Sequence, residues 1–312
     1  MTRKRIIILG ATGSIGDSTF RVIRAAREQF DIVGISGHNN ADKLAMLARE
    51  FGVKAVAVTG DHASLPDFPP GCSVHTGMDA CLKLLEQECD TVVAAVTGAA
   101  GLSAIMRALE LGRTVALANK EALVCAGPLM MQACRHYGAR ILPVDSEHNA
   151  IFQALGDKPP HHVSHITLTA SGGPFLRTPL VELADVTPEQ AVNHPKWNMG
   201  AKISVDSATM MNKGLELIEA RWMFNMPEEK IDVVIHPQAI IHGTVHFTDG
   251  SVIAQMSEPD MAIPISFCLH WPERGRCVSP PLSLAQCATL DFIAVDHERF
   301  PAIRLVREAL RS

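Results

Sequence analysis

An N-terminal doubly wound parallel sheet followed by a second α+β domain is the fold class this sequence predicts, on three observations. Short apolar runs alternate with helical stretches six times before residue 145, the pattern of parallel strands joined by crossover helices. The first of those runs ends in Gly10-Ala11-Thr12-Gly13-Ser14-Ile15-Gly16, a strand, glycine turn and helix start of the Rossmann-like kind. Beyond residue 230 the rhythm changes to neighbouring strands, Asp232 to Ile235, Ile240 to Phe247 and Ser251 to Met256, the last two joined across Thr248-Asp249-Gly250. These predict a second sheet with a hairpin.

The elements of the first domain follow in order. Arg5 to Leu9 is a buried strand, and a helix runs from the glycine turn to about Arg27. A Gly-x-x-Gly-x-x-Gly turn brings backbone N–H groups and the positive end of a helix close to a pyrophosphate. The next strand, Ile32 to Ser36, ends in Gly37-His38-Asn39-Asn40, where an NAD enzyme places an acid on the ribose 2′-hydroxyl. Neutral polar groups and an ionisable His38 stand there instead, so NADP is preferred over NAD. Then come helix Ala41 to Glu50, strand Ala55 to Val58, a Pro-rich loop at Pro66 to Gly71, helix Met78 to Gln87 and strand Thr91 to Ala95. Helix Gly101 to Leu111, strand Thr114 to Ala118, a helix from about Glu121 and strand Arg140 to Leu142 complete the sheet. Six strands are expected.

Composition limits the function. With 312 residues, 47% apolar and 20% charged, the chain can bury the cores of two domains. A net charge of −5 gives no basic footprint for nucleic acid or an anionic membrane, which favours a small-molecule partner. The uncharged run Thr91 to Met106 is interrupted by Thr97, Gly98 and Gly101 and falls short of the roughly 18 to 20 apolar residues of a membrane span. Arg3, Lys4 and Arg5 start like a secretory leader, but Ile6 to Leu9 stops at Gly10; a cytoplasmic location is expected. The eight cysteines are scattered without Cys-x-x-Cys spacing and read as reduced thiols rather than a zinc site.

Candidate chemistry lies at strand ends. In Pro143-Val144-Asp145-Ser146-Glu147-His148-Asn149, a backbone extended through Ser146 aims Asp145 and Glu147 the same way. Paired carboxylates there suit a divalent cation or proton transfer, and the competing reading is a cap on a helix Ala150 to Leu155. Asn119-Lys120-Glu121 follows another strand, where ligands of such sheets bind. Ile166 to Thr169 runs into Ser171-Gly172-Gly173, which reads as an anion nest or as a plain turn. The loop Asn193 to Gly200, with His194, Trp197 and Met199, reads as a lid or as a loop anchored by its tryptophan. Ser204 to Glu216 leads into a helix with Leu215, Ile218 and Trp222 on its apolar face. On that helix Asn212 and Lys213 share an edge with Glu216. Ser207, Lys213 and the helix start suit a phosphate, against an exposed Lys-Glu pair. Pro272 to Leu290 reads as a linker, with an amphipathic helix beyond Phe300.

Taken together, Gly10 to Gly16, Leu117 to Glu121, Pro143 to His148, Ser171 to Phe175, His194 to Gly200, Ser207 to Glu216 and Ile235-His236-Pro237-Gln238 closely resemble the 1-deoxy-D-xylulose 5-phosphate reductoisomerase family. The resemblance implies an NADPH- and divalent-metal-dependent enzyme that converts 1-deoxy-D-xylulose 5-phosphate to 2-C-methyl-D-erythritol 4-phosphate by a retro-aldol/aldol step and a reduction. By position it implies Thr12, Gly13, Ser14, Ile15, Gly37, His38, Asn39, Asn119, Glu121 and Gly200 at NADPH. It implies Asp145, Glu147 and Glu216 at Mg²⁺ or Mn²⁺, as befits hard ions and oxygen ligands. Ser171, His194, Ser207, Asn212 and Lys213 fall at the substrate's phosphate end. Lys120 and Ser146 lie nearer its other oxygens, Trp197 and Met199 close over it, and Met261 lines the pocket. Lys120 joins Asp145, Glu147 and Glu216 as the expected catalytic group.

Binding of phosphonate inhibitors and a homodimer through the second sheet are also implied. The implied division is 1–144 for NADPH, 145–271 for metal, substrate and dimerisation, and 272–312 for a linker and the start of a helical C-terminal domain. The family continues past the point where this chain ends, at Ser312, so that domain is expected to be missing. At 38 the family commonly has Lys, and here stands His38. A short-chain dehydrogenase needs Tyr-x-x-x-Lys, but the single tyrosine, Tyr137, is followed four residues later by Ile141. A semialdehyde dehydrogenase needs a Cys at a helix start, and Cys125 lies inside a helical run. The alternative of another class is a catalytically silent NADPH-binding regulator, for which the three carboxylates have no use.

Overall fold

In a computed structural model, which describes residues 3–197, 199–287 and 289–311, the chain divides into two compact units. The first comprises 1–144 and 261–278, the second 145–260 and 279–312. Among the described residues, no helix is long and apolar enough to cross a membrane.

The first unit opens with β1 (Lys4–Leu9), α1 (Ser14–Ala25), β2 (Phe30–Gly37), α2 (Ala41–Phe51), β3 (Ala55–Val58), β4 (Ser73–Thr76) and α3 (Ala80–Leu84). It continues through β5 (Thr91–Ala94), α4 (Leu102–Glu110), β6 (Thr114–Leu117), α5 (Lys120–Tyr137) and β7 (Arg140–Pro143). All strands are parallel, in the order β4-β3-β2-β1-β5-β6-β7. The order reverses between β2 and β5 on either side of β1, which opens a crevice at the carboxyl ends of the strands. Helices on both faces explain why β3 and β5, Ala-Val-Ala-Val and Thr-Val-Val-Ala, are buried at every position and show no alternation. A seventh strand, β4, joins the six expected. Its Ser-Val-His-Thr carries no apolar run and is largely exposed, as an edge strand tolerates.

The second unit contains α6 (Ser146–Leu155), β8 (Val163–Ala170), α7 (Pro188–Val192), α8 (Ala201–Ala208), α9 (Met211–Met223), β9 (Ile231–Ile235), β10 (Ile241–Phe247) and β11 (Val252–Met256). The chain then returns to the first unit with α10 (Ala262–His270), which packs on α1. There the Lys4 ammonium donates to the carbonyls of Leu269 and Trp271, each at 2.8 Å. Residues 261–271, expected with the second domain, thus lie in the first unit. After 278 the chain completes the second unit with α11 (Leu284–Cys287), β12 (Ile293–Ala294) and α12 (Pro301–Arg311).

The second sheet has the order β11-β10-β8-β9-β12. Only β8 and β9 run parallel; β10 pairs antiparallel with β8 and β11, and β12 with β9. Ile166, Leu168, Ile231, Ile235 and Val245 meet Ile151 of α6, Leu217 and Ala220 of α9, and Phe300, Ile303 and Val306 of the C-terminal segment in one core. Each such aliphatic side chain contributes about 1.5–3 kcal/mol by leaving water. Glu228 pairs with Arg307 at 2.7 Å and with Arg311, holding α12 to the segment before β9.

Candidate functional site

The extended acidic stretch expected at 145–147 is not extended. Asp145 is the N-cap of α6 and Ser146 its first helical residue, so the helix begins four residues before Ala150 and strand alternation does not apply. A polar and acidic start is itself a helix N-terminal signal. Yet the Asp145 carboxylate makes no capping hydrogen bond. Asp145 at the N-cap and Glu147 in the first turn thus lie at the end of the helix where its dipole favours negative charge.

Helix α9 meets them with a charged face. Its buried residues are Lys213, Gly214, Glu216, Leu217, Glu219 and Ala220, whereas Leu215, Ile218 and Trp222, expected on the apolar face, are only partly buried. The Lys213 ammonium lies 2.6 Å from Glu147 Oε1 and also contacts Glu216. Asn212 Nδ2 donates to Glu216 Oε1 at 2.5 Å, and Ser146 Oγ donates to Glu147 Oε2. Lys213 and Glu216 are 3% and 1% exposed, which rules out a solvated surface pair. Burial opposes the charge of Lys213, but Glu147, Glu216 and Asp145 together outweigh it and hold its pKa above the ordinary lysine value.

Metal-ligating atoms of Asp145, His148 and Glu216 lie within 4.8 Å of one another. His148 was not among the expected ligands. Its ring is fully buried, with Nε2 2.9 Å from the Glu216 backbone oxygen and Nδ1 3.8 Å from Glu219 Oε2. The Nε2–H therefore donates to that carbonyl and ties α6 to α9. The group within ligating distance thus holds His148 where Glu147 was expected, while Glu147 is engaged by Lys213 and Ser146, and Asp145, Glu147 and Glu216 together surround the Lys213 ammonium. Against the single ammonium of Lys213, these three carboxylates leave two negative charges in excess, which an all-oxygen divalent cation site would neutralise. The carboxylate oxygens gathered here suit Mg²⁺ or Mn²⁺.

A second cluster lies in the same unit. His194 Nδ1 accepts from the backbone N–H groups of Lys196 and Trp197 at 3.1 and 2.9 Å. That fixes the neutral tautomer, so Nε2–H donates to Ser171 Oγ at 2.8 Å; burial also lowers the His194 pKa. Ser171 Oγ accepts a further bond from Gly173 N at 3.2 Å, so its own proton is left to donate outward. Gly173 is required here. Its φ is +67°, and a Cβ would lie 2.7 Å from the Ser207 carbonyl oxygen, which brings the glycine turn against the end of α8. Trp197 stands edge-on to His242, with centroids 6.2 Å apart, and Met199 is partly buried. His242 is buried, which pushes its pKa down, with Glu147 pulling it up.

The glycine turn of the first unit has the expected form. Gly10 has φ +82° and Gly16 allows no side chain, a Cβ there standing 2.2 Å from the Ala11 oxygen. At Gly13 the nearest atom to a Cβ is 3.5 Å away, and no side chain caps α1. Thr12, Gly13, Ser14 and Ile15 thus present a helix N-terminus suited to a pyrophosphate. Gly37 is buried at the end of β2, and His38 and Asn39 are exposed. Asn119 accepts from Ala122 N and donates to the carbonyls of Val96 and Gly98, binding the ends of β5 and β6 together. Lys120 is 8% exposed at the start of α5, followed by Glu121. Lys120 and Met261 belong to the first unit, Gly200 to the second.

Three family models match the chain. One described as 1-deoxy-D-xylulose 5-phosphate reductoisomerase covers residues 6–127, and two for that enzyme's C-terminal domain cover 141–224 and 256–312. A 1-deoxy-D-xylulose 5-phosphate reductoisomerase of Bradyrhizobium sp. is 48% identical over 99% of this chain and 77% of its own length. Among solved structures, a DOX-P reductoisomerase in complex with NADPH, fosmidomycin and magnesium superposes with a TM-score of 0.92 at 40% identity. It is covered over 79% of its length, this chain over 99%. A 1-deoxy-D-xylulose 5-phosphate reductoisomerase from Zymomonas mobilis in complex with NADPH gives a TM-score of 0.91 at 42% identity, with 99% of this chain and 82% of that one covered.

Proposed function

The chain belongs to the 1-deoxy-D-xylulose 5-phosphate reductoisomerase family, and on that premise we propose how its residues carry out that family's reaction. It is an NADPH- and divalent-metal-dependent oxidoreductase that isomerises and reduces 1-deoxy-D-xylulose 5-phosphate to 2-C-methyl-D-erythritol 4-phosphate, a step of non-mevalonate isoprenoid synthesis. The observation that carries this reading is the group of three carboxylates around the buried Lys213, which a silent nucleotide binder would not need.

Asp145, Glu147 and Glu216 hold the cation, and Lys213 and Asn212 fix the rotamers of Glu147 and Glu216. With the cation in place, Lewis-acid polarisation of the substrate's carbonyl and adjoining hydroxyl becomes available, as does hydride from NADPH at the glycine turn. Ser171, its oxygen filled by His194 and Gly173, turns its hydroxyl proton to a phosphate oxygen. Ser207, Asn212 and Lys213 complete the phosphate end, and Lys120 and Ser146 reach the remaining oxygens. Trp197 and Met199 exclude water over the sugar, with Met261 lining the pocket, so that binding energy from the unreactive phosphate is used at the reacting carbons. Thr12 to Ile15, Gly37, His38, Asn39, Asn119, Glu121 and Gly200 are the NADPH contacts.

The division of labour follows the same reading, with NADPH held by 1–144 and metal, substrate and the dimer contact by 145–271, of which 261–271 pack with the first unit. The protein works in the cytoplasm as a homodimer through the second sheet and binds phosphonate inhibitors. Loss of nicotinamide absorbance with 1-deoxy-D-xylulose 5-phosphate, NADPH and Mn²⁺, but not with chelator, is the expected result. NADPH binding without turnover under any metal would select the silent regulator instead.

A further inference from the structure

At the carboxyl ends of β2 and β3 two histidines converge. His38 Nδ1 lies 3.0 Å from Thr59 Oγ1, whose hydroxyl has the Gly37 carbonyl as acceptor at 3.4 Å. His62 Nε2 lies 2.7 Å from the His38 carbonyl oxygen, so it donates there. The turn between them is built for this approach: a Cβ on Gly60 would stand 2.5 Å from that oxygen and 3.3 Å from His62 Nε2. His38 itself is exposed at the end of the strand that, in a sheet of this order, borders the adenosine ribose.

Among the described residues on the neighbouring segments, the one lysine, Lys43, is already engaged. Lys43 of α2 is turned to the glycine turn, donating to Thr12 O at 3.0 Å and pairing with Asp17 of α1 at 2.7 Å. Asn40 accepts from Lys43 N as the cap of α2. Asp42 and Asp61 add negative charge on neighbouring segments, and β4 ends beside Val58 in the uncharged Thr76. Of these groups, imidazole is the one that can supply positive charge to an anion at His38.

With the Thr59 proton on Gly37 O, His38 Nδ1 is the donor to Thr59, and in the neutral ring Nε2 carries only a lone pair. A second proton turns Nε2 into a charged donor. A phosphomonoester of charge about −1.5 to −2 favours that form. Resting on the NADPH reading above, we propose that His38, oriented by Thr59 and backed by His62, reads the 2′-phosphate by taking up a proton. Binding of NADPH is thereby linked to pH, and binding of NADH is not.

Calorimetric titration of the full 312-residue chain with NADPH and with NADH, each in HEPES and in Tris at pH 7.5, counts the protons exchanged without any turnover. The expected result is net uptake approaching one proton per NADPH and none per NADH. NADPH affinity then weakens by up to about tenfold per pH unit above neutrality while NADH affinity stays level. His38→Lys, whose charge is permanent in this range, keeps NADPH affinity and abolishes the uptake; His38→Gln brings NADPH affinity down toward that of NADH. Equal proton counts for the two cofactors overturn the proposal and leave the cofactor reading intact. So does uptake that persists in His38→Lys, which would place the proton on the phosphate. A chain that binds neither cofactor overturns both.

Discussion

Replacing Lys213 by Met tests the electrostatic design of the acidic cluster. Methionine preserves most of the aliphatic stem, so the change removes chiefly the ammonium. That ammonium is 2.6 Å from Glu147, contacts Glu216 and belongs to a residue 3% exposed. Removing one partner from a buried ion pair costs about 3–5 kcal/mol, because the remaining charges stay buried without compensation. For a unit of this size that is roughly 6–20 °C in Tm. The loss should be largest in chelator. Since the three carboxylates then lack their ammonium, the variant should gain more from Mg²⁺ than the parent chain does, and a cation at a hundred times its Kd adds about 2.7 kcal/mol. The assay is thermal unfolding of both chains with EDTA and with millimolar Mg²⁺. A loss below about 1 kcal/mol in EDTA, or an equal Mg²⁺ shift in both chains, would refute the reasoning.

Three further outcomes follow from other parts of the molecule. Gly16→Ala sets a methyl 2.2 Å from a backbone oxygen and should cost about 1–3 kcal/mol of stability together with NADPH affinity; urea unfolding and NADPH fluorescence check the two, and unchanged values in both contradict the turn geometry. His194→Gln loses the ring that joins Ser171 to two backbone N–H groups. Removing about 1–2 kcal/mol of such bonding should raise the substrate KM roughly 5- to 30-fold, with little change for a substrate analogue lacking the phosphate. Burial lowers the pKa of His194 and His246 from 6.5, so the unfolded chain takes up protons that the folded chain resists. Stability should therefore be steady above pH 6.5 and fall between about pH 6.5 and 5, and a level or rising urea midpoint across that window would contradict the burial.

The sequence shows the first sheet because strands buried on both faces leave dense apolar runs. β4 escapes notice because its one aliphatic residue, Val74, is 39% exposed, and an edge strand is decided by pairing rather than by pattern. The run Ala262–Leu269 is apolar all round, which announces burial but says nothing about which core receives it. At the site, Asp145 and Glu147 are visible as acids, but their geometry depends on whether Ser146 is strand or helix, and local propensity balances the two. His148, Glu219 and His242 acquire meaning only from contacts across 68 positions and more or from burial. Only the spacing of Lys213, Glu216 and Glu219, three residues apart along one helical face, hinted that charge would be inward.

The return of α10 to the first unit has a consequence for how the protein is made. β1 leaves the ribosome long before α10, for the carbonyls that receive its Lys4 ammonium lie 265 and 267 positions later. Until α10 emerges the nascent first unit is an unfinished body with the flank of α1 bare, a state in which chaperones and proteases find purchase. A ribosome that stalls before residue 261 would release a chain whose first unit still lacks the segment that closes it.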